Sequence, residues 1–289
     1  MNRRQFLCHT SAAAGALSLS AFPYHLLAGT TRKHATDRIK LGPEGIELSR
    51  LAMGSGTNGV GGSSNQTRKL GKQGFADMLR AGYDQGLTFW DSADQCGTHP
   101  HVKLAKTGIP REKLTILSKT RATTDKEMRA DLDRFRLELG TDYIDIMLLH
   151  CMVDPDWPDR KKGAMEVISE AKEKGIIRTH GISQHDLGAL KTAAKHPWVE
   201  VDLARINPAG AVMDAPTPTV LAALKEMKKN GKGIIGMKII GAGALRGSID
   251  ECLQFALAQD SIDCFTIGME NREEMEQVLA KVPDASVRG

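Results

Sequence analysis

The feature that most constrains this chain is an alternation. Between residues 50 and 282, eight short apolar runs of strand length alternate with eight longer segments of helical spacing. The apolar runs fall at 50–53, 87–91, 114–118, 143–149, 176–182, 199–206, 233–237 and 264–267. The helical segments fall at 75–85, 102–107, 124–139, 161–174, 187–195, 217–230, 249–259 and 272–282, the second being short and weakly patterned. Strand–helix repeats of this kind build a parallel sheet. Eight units in about 250 residues have the size and rhythm of a TIM barrel, which closes the sheet and leaves no edge. Gly86, Gly140, Gly175 and Gly231 stand where helix C-termini need a glycine.

Two shorter runs, 39–41 and 46–48, flank Gly42-Pro43-Glu44-Gly45 and predict a small hairpin that acts as a lid. The expectation is therefore an α/β chain: a (β/α)8 TIM barrel over 38–285 with a short N-terminal β-hairpin and no second domain. Apolar residues at 41% and charged residues at 26% exclude a disordered chain and a multi-span membrane protein.

The first thirty residues stand apart from this rhythm. Asn2-Arg3-Arg4-Gln5-Phe6-Leu7 resembles the twin-arginine export signature, and the apolar run at 11–22 is too short for a stable membrane span. Residues 1–30 are expected to be a cleavable signal handled by the twin-arginine export machinery, cut after Ser20 or Ala28. The destination is periplasmic or exported. That route, as the resemblance implies, carries proteins already folded, commonly with a cofactor loaded. Arg3 and Arg4 supply two units of the formal charge of +4, so no nucleic-acid partner is indicated. Of five cysteines, Cys8 would leave with the signal; Cys96, Cys151, Cys252 and Cys264 need no disulfide.

In a barrel of this kind function lies at the C-terminal ends of the strands. Those ends read Gly54-Ser55-Gly56-Thr57, Asp91, Lys119, His150, Ser183-Gln184-His185, Asn207-Pro208, Lys238 and Gly268-Met269-Glu270-Asn271. Asp91, Lys119 and His150 close strands two, three and four and can meet in one site. A buried lysine needs a carboxylate to stay charged, and the pair imposes a positive potential on a neighbouring acid. That is proton-transfer machinery; the structural alternative is a salt bridge that stiffens the mouth, with His150 capping a loop. Cys96 follows Asp91 by five residues, in a turn.

On these residues the chain resembles the aldo/keto reductases. Gly86-Leu87-Thr88-Phe89-Trp90-Asp91-Ser92-Ala93 is similar to the family's segment around its catalytic aspartate, 114–119 to its lysine strand, 142–150 to its histidine strand and Gly181-Ile182-Ser183 to a further turn. The resemblance implies hydride transfer from NADP or NAD to a carbonyl carbon of a small-molecule substrate. A tyrosine protonates the oxygen, lysine and aspartate tune that tyrosine, and histidine orients the carbonyl. Asp91, Lys119 and His150 take those places, and Cys96 stands at the tyrosine. A thiol beside Lys119 is expected to move toward thiolate, which donates no proton, and it is too short to reach the carbonyl.

The same resemblance places the cofactor against Gly56, Thr57, Ser183, Gln184, Met237, Lys238, Gly268, Met269 and Asn271. Gln184 replaces an asparagine, and Met237 replaces an aromatic that stacks on the nicotinamide. Glu274 falls where many members carry an arginine, and its charge repels a 2′-phosphate, which argues against NADPH and leaves NADH open. Export adds a constraint, because the periplasm supplies no pool of free nicotinamide cofactor. Either the cofactor travels in tightly bound or the barrel does something else. One alternative is a metal site at Cys96-Gly97-Thr98-His99-Pro100-His101 with His150, Cys151 and His185 nearby. Another is a catalytically silent barrel that binds a sugar or a partner protein.

Overall fold

The computed structural model describes residues 31–288. The segment expected to be an export signal lies outside the described residues. Eight parallel strands form a closed barrel: β3 (Leu51–Gly54), β4 (Phe89–Asp91), β5 (Thr115–Thr120), β6 (Ile144–Met152), β7 (Ile177–Gln184), β8 (Val201–Arg205), β9 (Gly233–Met237) and β10 (Cys264–Ile267). β10 pairs with β3 through Thr266 and Ala52, which closes the ring. The helices that follow are α1 (Asn65–Asp84), α2 (His99–Ala105), α3 (Asp125–Leu139), α4 (Lys162–Glu173), α5 (Leu187–Lys195), α6 (Thr217–Lys229), α7 (Ile249–Ala258) and α8 (Arg272–Val287). The eightfold barrel expected from the alternation is therefore the fold.

Successive side chains on a strand face opposite sides of the sheet, and the core divides accordingly. Phe89, Leu117, Ile146, Leu148, Val201, Leu203, Ile235 and Cys264 fill the barrel interior. Their neighbours Trp90, Ile116, Met147, Leu149, Ala204 and Phe265 face the helices instead. Each inward residue is essentially free of solvent, so a shift of one position in β5 or β6 would turn a polar side chain, Ser118 or Asp145, into the interior.

The hairpin is β1 (Arg38–Leu41) paired antiparallel with β2 (Ile46–Ser49). Its Leu41, Ile46 and Leu48 belong to the interior cluster. The Ser49 hydroxyl accepts from the backbone N–H groups of Thr88 and Phe89 at 3.1 Å each, and Thr115 donates to the Glu47 carbonyl at 2.9 Å. Gly42, at φ +64°, passes so close to β8 that a Cβ would lie 3.3 Å from the Glu200 carbonyl oxygen. All these partners stand at the beginnings of the strands. The expected lid is thus a plug in the floor, at the end opposite the mouth.

Two helices run beyond their expected ends. α1 begins ten residues early at a capping box formed by Ser64 and Thr67, and its break at Gly71 (φ +64°) together with a polar first half hid it. α8 continues through Pro283 to Val287, which a proline normally discourages. Replacing Leu48 by alanine would open the plug beneath a filled interior. The expected cost is about 2–5 kcal/mol of stability by denaturant unfolding, at unchanged ligand affinity at the mouth.

Candidate functional site

The alternation that sorts the core also aims the polar groups. Asp91 lies two residues beyond inward Phe89, Lys119 two beyond Leu117, His150 two beyond Leu148, and Thr266 two beyond Cys264. All four therefore project into the lumen just above its apolar filling. The Lys119 ammonium is hydrogen-bonded to Asp91 Oδ1 and, at 2.9 Å, to the Ser92 carbonyl. The Thr266 hydroxyl donates to Asp91 Oδ2 at 2.9 Å. Both charged side chains are about nine-tenths buried, so each keeps the other's charge from standing unpaired in a dry site.

Above this pair opens a cavity of about 600 Å³. Asp91, Lys119, His150 and Cys96 form part of its wall, as do Gly56, Thr57, Met237 and Lys238, and Gly268 and Met269. Three expected cofactor residues do not. Ser183 is buried and its hydroxyl accepts from the Cys151 N–H at 3.0 Å. Gln184 falls on the outward parity of β7 with Ile182, where its amide nitrogen faces the Asp202 carboxyl at 3.1 Å. Asn271 spends its side chain on capping α8, accepting from the Glu274 N–H at 2.8 Å. Residues that the sequence reading passed over also line the cavity, Arg246, Gln277 and Thr266 among them. Inward parity on β10 would have flagged Thr266, whereas Arg246 sits in an irregular connection with no pattern to find it.

Two wall residues arrive by a different device. Strict alternation would turn Cys151 and Lys238 outward, because His150 and Met237 before them face in. Both adopt left-handed backbone, Cys151 at φ +63° and Lys238 at φ +58°, and both end in the cavity. The register between β6 and β7 shifts at 149–152, so Cys151 sits on a bulge. The Lys238 carbonyl is held by the Asn207 amide at 3.1 Å and the Gly241 N–H at 2.8 Å.

Burial dominates the electrostatics here. His150 is pushed down to about 3 by desolvation, with Lys119 and His185 adding to it, so the ring is neutral. Its Nδ1 is buried and has no partner among the described residues. His185 is pushed down to about 4 for the same first cause. Burial also lowers Lys238, with Arg205 next, and no described residue pairs with its amine. Cys96 departs from expectation: desolvation raises its thiol and outweighs Lys119, whose charge Asp91 already engages. The side chain is 4% exposed, at the end of the turn Asp94–Cys96, under a loop where a Cβ on Gly59 would come within 2.3 Å of its sulfur. Cys96 is a protonated thiol rather than a thiolate.

The cluster Cys96-Gly97-Thr98-His99-Pro100-His101 does not assemble around a common point. Both ring nitrogens of His99 are taken, by Glu138 at 2.8 Å and Ser118 at 2.7 Å, and His101 packs on Phe75. Neither histidine reaches the cavity. His99 does lie beside Asp94 and Glu138, but Arg134 already bonds both carboxylates.

A nicotinamide dinucleotide suits this cavity in reach and charge. The wall runs from Lys119 to the start of α8 and includes the unpaired Lys238 amine and Arg246, whose guanidinium lies 3.8 Å from the Glu270 carboxylate. Glycine at 268 is required there, since a Cβ would meet Thr57 Oγ1 at 2.1 Å. At the far end Glu274 lines the wall and accepts the Glu270 N–H at 2.8 Å, so a carboxylate already occupies that amide. No phenylalanine, tyrosine or tryptophan lines the cavity among the described residues.

Comparison with known proteins gives a consistent answer. Residues 52–254 match the sequence pattern described as the aldo/keto reductase family. An aldo-keto reductase from Strobilurus tenacellus is 29% identical over 209 residues, covering 65% of this chain and 60% of that protein. A D-threo-aldose 1-dehydrogenase from a Pseudomonas species is 23% identical, covering 70% and 69%. For a similar protein from Glycine max the match spans only 50% of that protein's length. Among solved structures, an aldo-keto reductase from Bacillus halodurans superposes with a TM-score of 0.69 at 16% identity, covering 86% of this chain and 91% of that one. One from Klebsiella pneumoniae, in complex with NADP and acetate, gives 0.63 at 18% identity, covering 85% and 89%. These structural likenesses speak for the fold.

The depressed histidines have a thermodynamic consequence. Below its ordinary value near 6.5 a histidine binds more proton in the unfolded chain than His150 does in the folded one, so stability falls as pH drops from about 6.5 toward 3. Unfolding free energy measured across that window should fall less steeply in His150→Asn than in the wild type; equal slopes would contradict the assignment.

Proposed function

The chain belongs to the aldo/keto reductase family, and from that premise we propose that it is a nicotinamide-dependent oxidoreductase acting on a small carbonyl compound or alcohol. The likeness to a D-threo-aldose 1-dehydrogenase supports sugars within that class. The observation that carries the reading is the buried Asp91–Lys119 pair, on the floor of a long cavity beside a neutral histidine.

When bound, the cofactor supplies a hydride to the carbonyl carbon. Lys238, and Arg246 beside its Glu270 partner, would hold its diphosphate, with Gly56 and Gly268 on the same wall. Glu274 disfavours a 2′-phosphate, so NAD rather than NADP is the cofactor of this reading.

The proton has to reach the carbonyl oxygen without a tyrosine. An ammonium has three N–H donors, and Lys119 spends two, on Asp91 and on the Ser92 carbonyl. The third is left for the cavity, and an ammonium is a far stronger acid than the alcohol it would create. Lys119 is therefore the proton donor, and Asp91 keeps it charged in a buried place. Neutral His150 offers one ring N–H to orient the carbonyl oxygen. Cys96, short and covered by the Gly56–Gly59 turn, makes room where a phenol would otherwise stand.

A twin-arginine signal at 1–30 is part of the same proposal: the barrel folds around its dinucleotide and is exported loaded. Native purification followed by mass spectrometry of the bound small molecules tests it. A stoichiometric NAD-type dinucleotide is expected, and an empty protein that also fails to bind added NADH would refute it.

Roles within the site separate by mutation. Lys119→Met should lower kcat for carbonyl reduction by about 10²–10⁴, the range of a lost general acid, with cofactor still bound. Cys96→Ala should stay within a few-fold of the wild type. A reversed ranking would assign proton donation to the thiol.

A further inference from the structure

The mechanism above leaves one nucleophile–base contact unused. Cys151 Sγ lies 3.1 Å from His185 Nδ1, and both residues line the same cavity as Lys119. The backbone holds the two together: the His185 N–H donates to the Met152 carbonyl at 2.7 Å, and the Cys151 N–H donates to Ser183 at 3.0 Å. Cys151 occupies left-handed backbone on the β6 bulge, a conformation a non-glycine residue keeps only where its surroundings impose it. Without that bulge the thiol would point to the helices. The strain therefore buys a thiol in the cavity.

The other described cysteines differ. Cys252 and Cys264 are fully buried away from the cavity, and Cys96 is covered by the loop above it with no base beside it. Cys151 alone among them combines partial exposure, a cavity position and a neighbouring imidazole. His185 is neutral, with Nδ1 turned to the thiol, and the burial that keeps it neutral makes it hold a proton only briefly before passing it on. Burial raises the Cys151 thiol, so the resting pair is a neutral S–H beside a nitrogen, inert until an electrophile is held there. Lys238 and His150 on the same wall supply positive potential and a hydrogen-bond donor for a carbonyl oxygen.

We propose that Cys151 and His185 form a thiol–imidazole pair that adds to α,β-unsaturated aldehydes or ketones admitted to the cavity. The Sγ–C bond forms at the β-carbon, the C=C π pair shifts toward the carbonyl oxygen, and the thiol proton passes to His185 Nδ1 and then to the α-carbon. The saturated thioether carries every atom of both reactants. No oxidant, reductant or leaving group takes part, and no nicotinamide is needed, so this activity stands independently of the reductase reading.

The test uses the full chain as purified, incubated with limiting methyl vinyl ketone, quenched over time and mapped by peptide mass spectrometry. Cys151 should be modified about tenfold or more faster than Cys96, Cys252 or Cys264 in the same molecules, a comparison that requires no variant. His185→Gln should slow the Cys151 adduct by about ten- to a hundredfold while its thermal midpoint and the slow modification of Cys96 stay unchanged. First labelling at Cys96, or a His185→Gln protein labelled at the wild-type rate, would overturn the proposal.

Discussion

The constraint on which everything else rests is the parity of a closed parallel barrel. Because the sheet has no edge and each strand is covered on both sides, every residue is committed to the lumen or to the helix layer, and neighbours along a strand take opposite sides. Phe89, Leu117, Leu148 and Cys264 commit their strands. Once they are inside, Asp91, Lys119, His150 and Thr266 have no other direction to take. The packing that stabilises the fold and the convergence that makes a site are one arrangement, met at two heights in the same lumen.

At the upper height desolvation outranks Coulomb attraction. His150, His185, Cys96, Cys151 and Lys238 are all shifted toward their neutral forms, burial being the first cause in each case. The ion pair of Asp91 and Lys119 persists among them because each charge is in direct contact with the other and with further hydrogen bonds. A neutral wall around one maintained ion pair is a setting in which proton movement is confined to a few groups. An anionic ligand entering beside Lys238 would find a cation with no competing carboxylate bonded to it among the described residues.

Much of this was legible in the sequence. Strand count, helix count, capping glycines and the three polar strand ends follow from periodicity and parity, which are local properties of the chain. What was not legible depends on backbone departures that no periodicity records. The bulge that re-aims Cys151 and the left-handed turn that re-aims Lys238 have no residue signature, since neither position is glycine. Ser183 and Gln184 sit at the right strand end, yet Cys151 and Asp202 claim their polar atoms. Cys96 shows the same limit in energetic form: adjacency to Lys119 was readable, whereas the loop that buries the thiol was not. Lys232 belongs here too, since nothing in the local pattern announces that its amine is buried against the carbonyls of His196 and Val199.

The hairpin seated in the floor has a consequence for traffic. Leu41, Ile46 and Leu48 stopper the barrel from beneath, with Ser49 and Thr115 fastening the stopper to the strand beginnings. The lumen is then a cul-de-sac with a single door. Whatever settles deepest must arrive first and depart last, so the order of entry and release is imposed by the architecture before any affinity is considered.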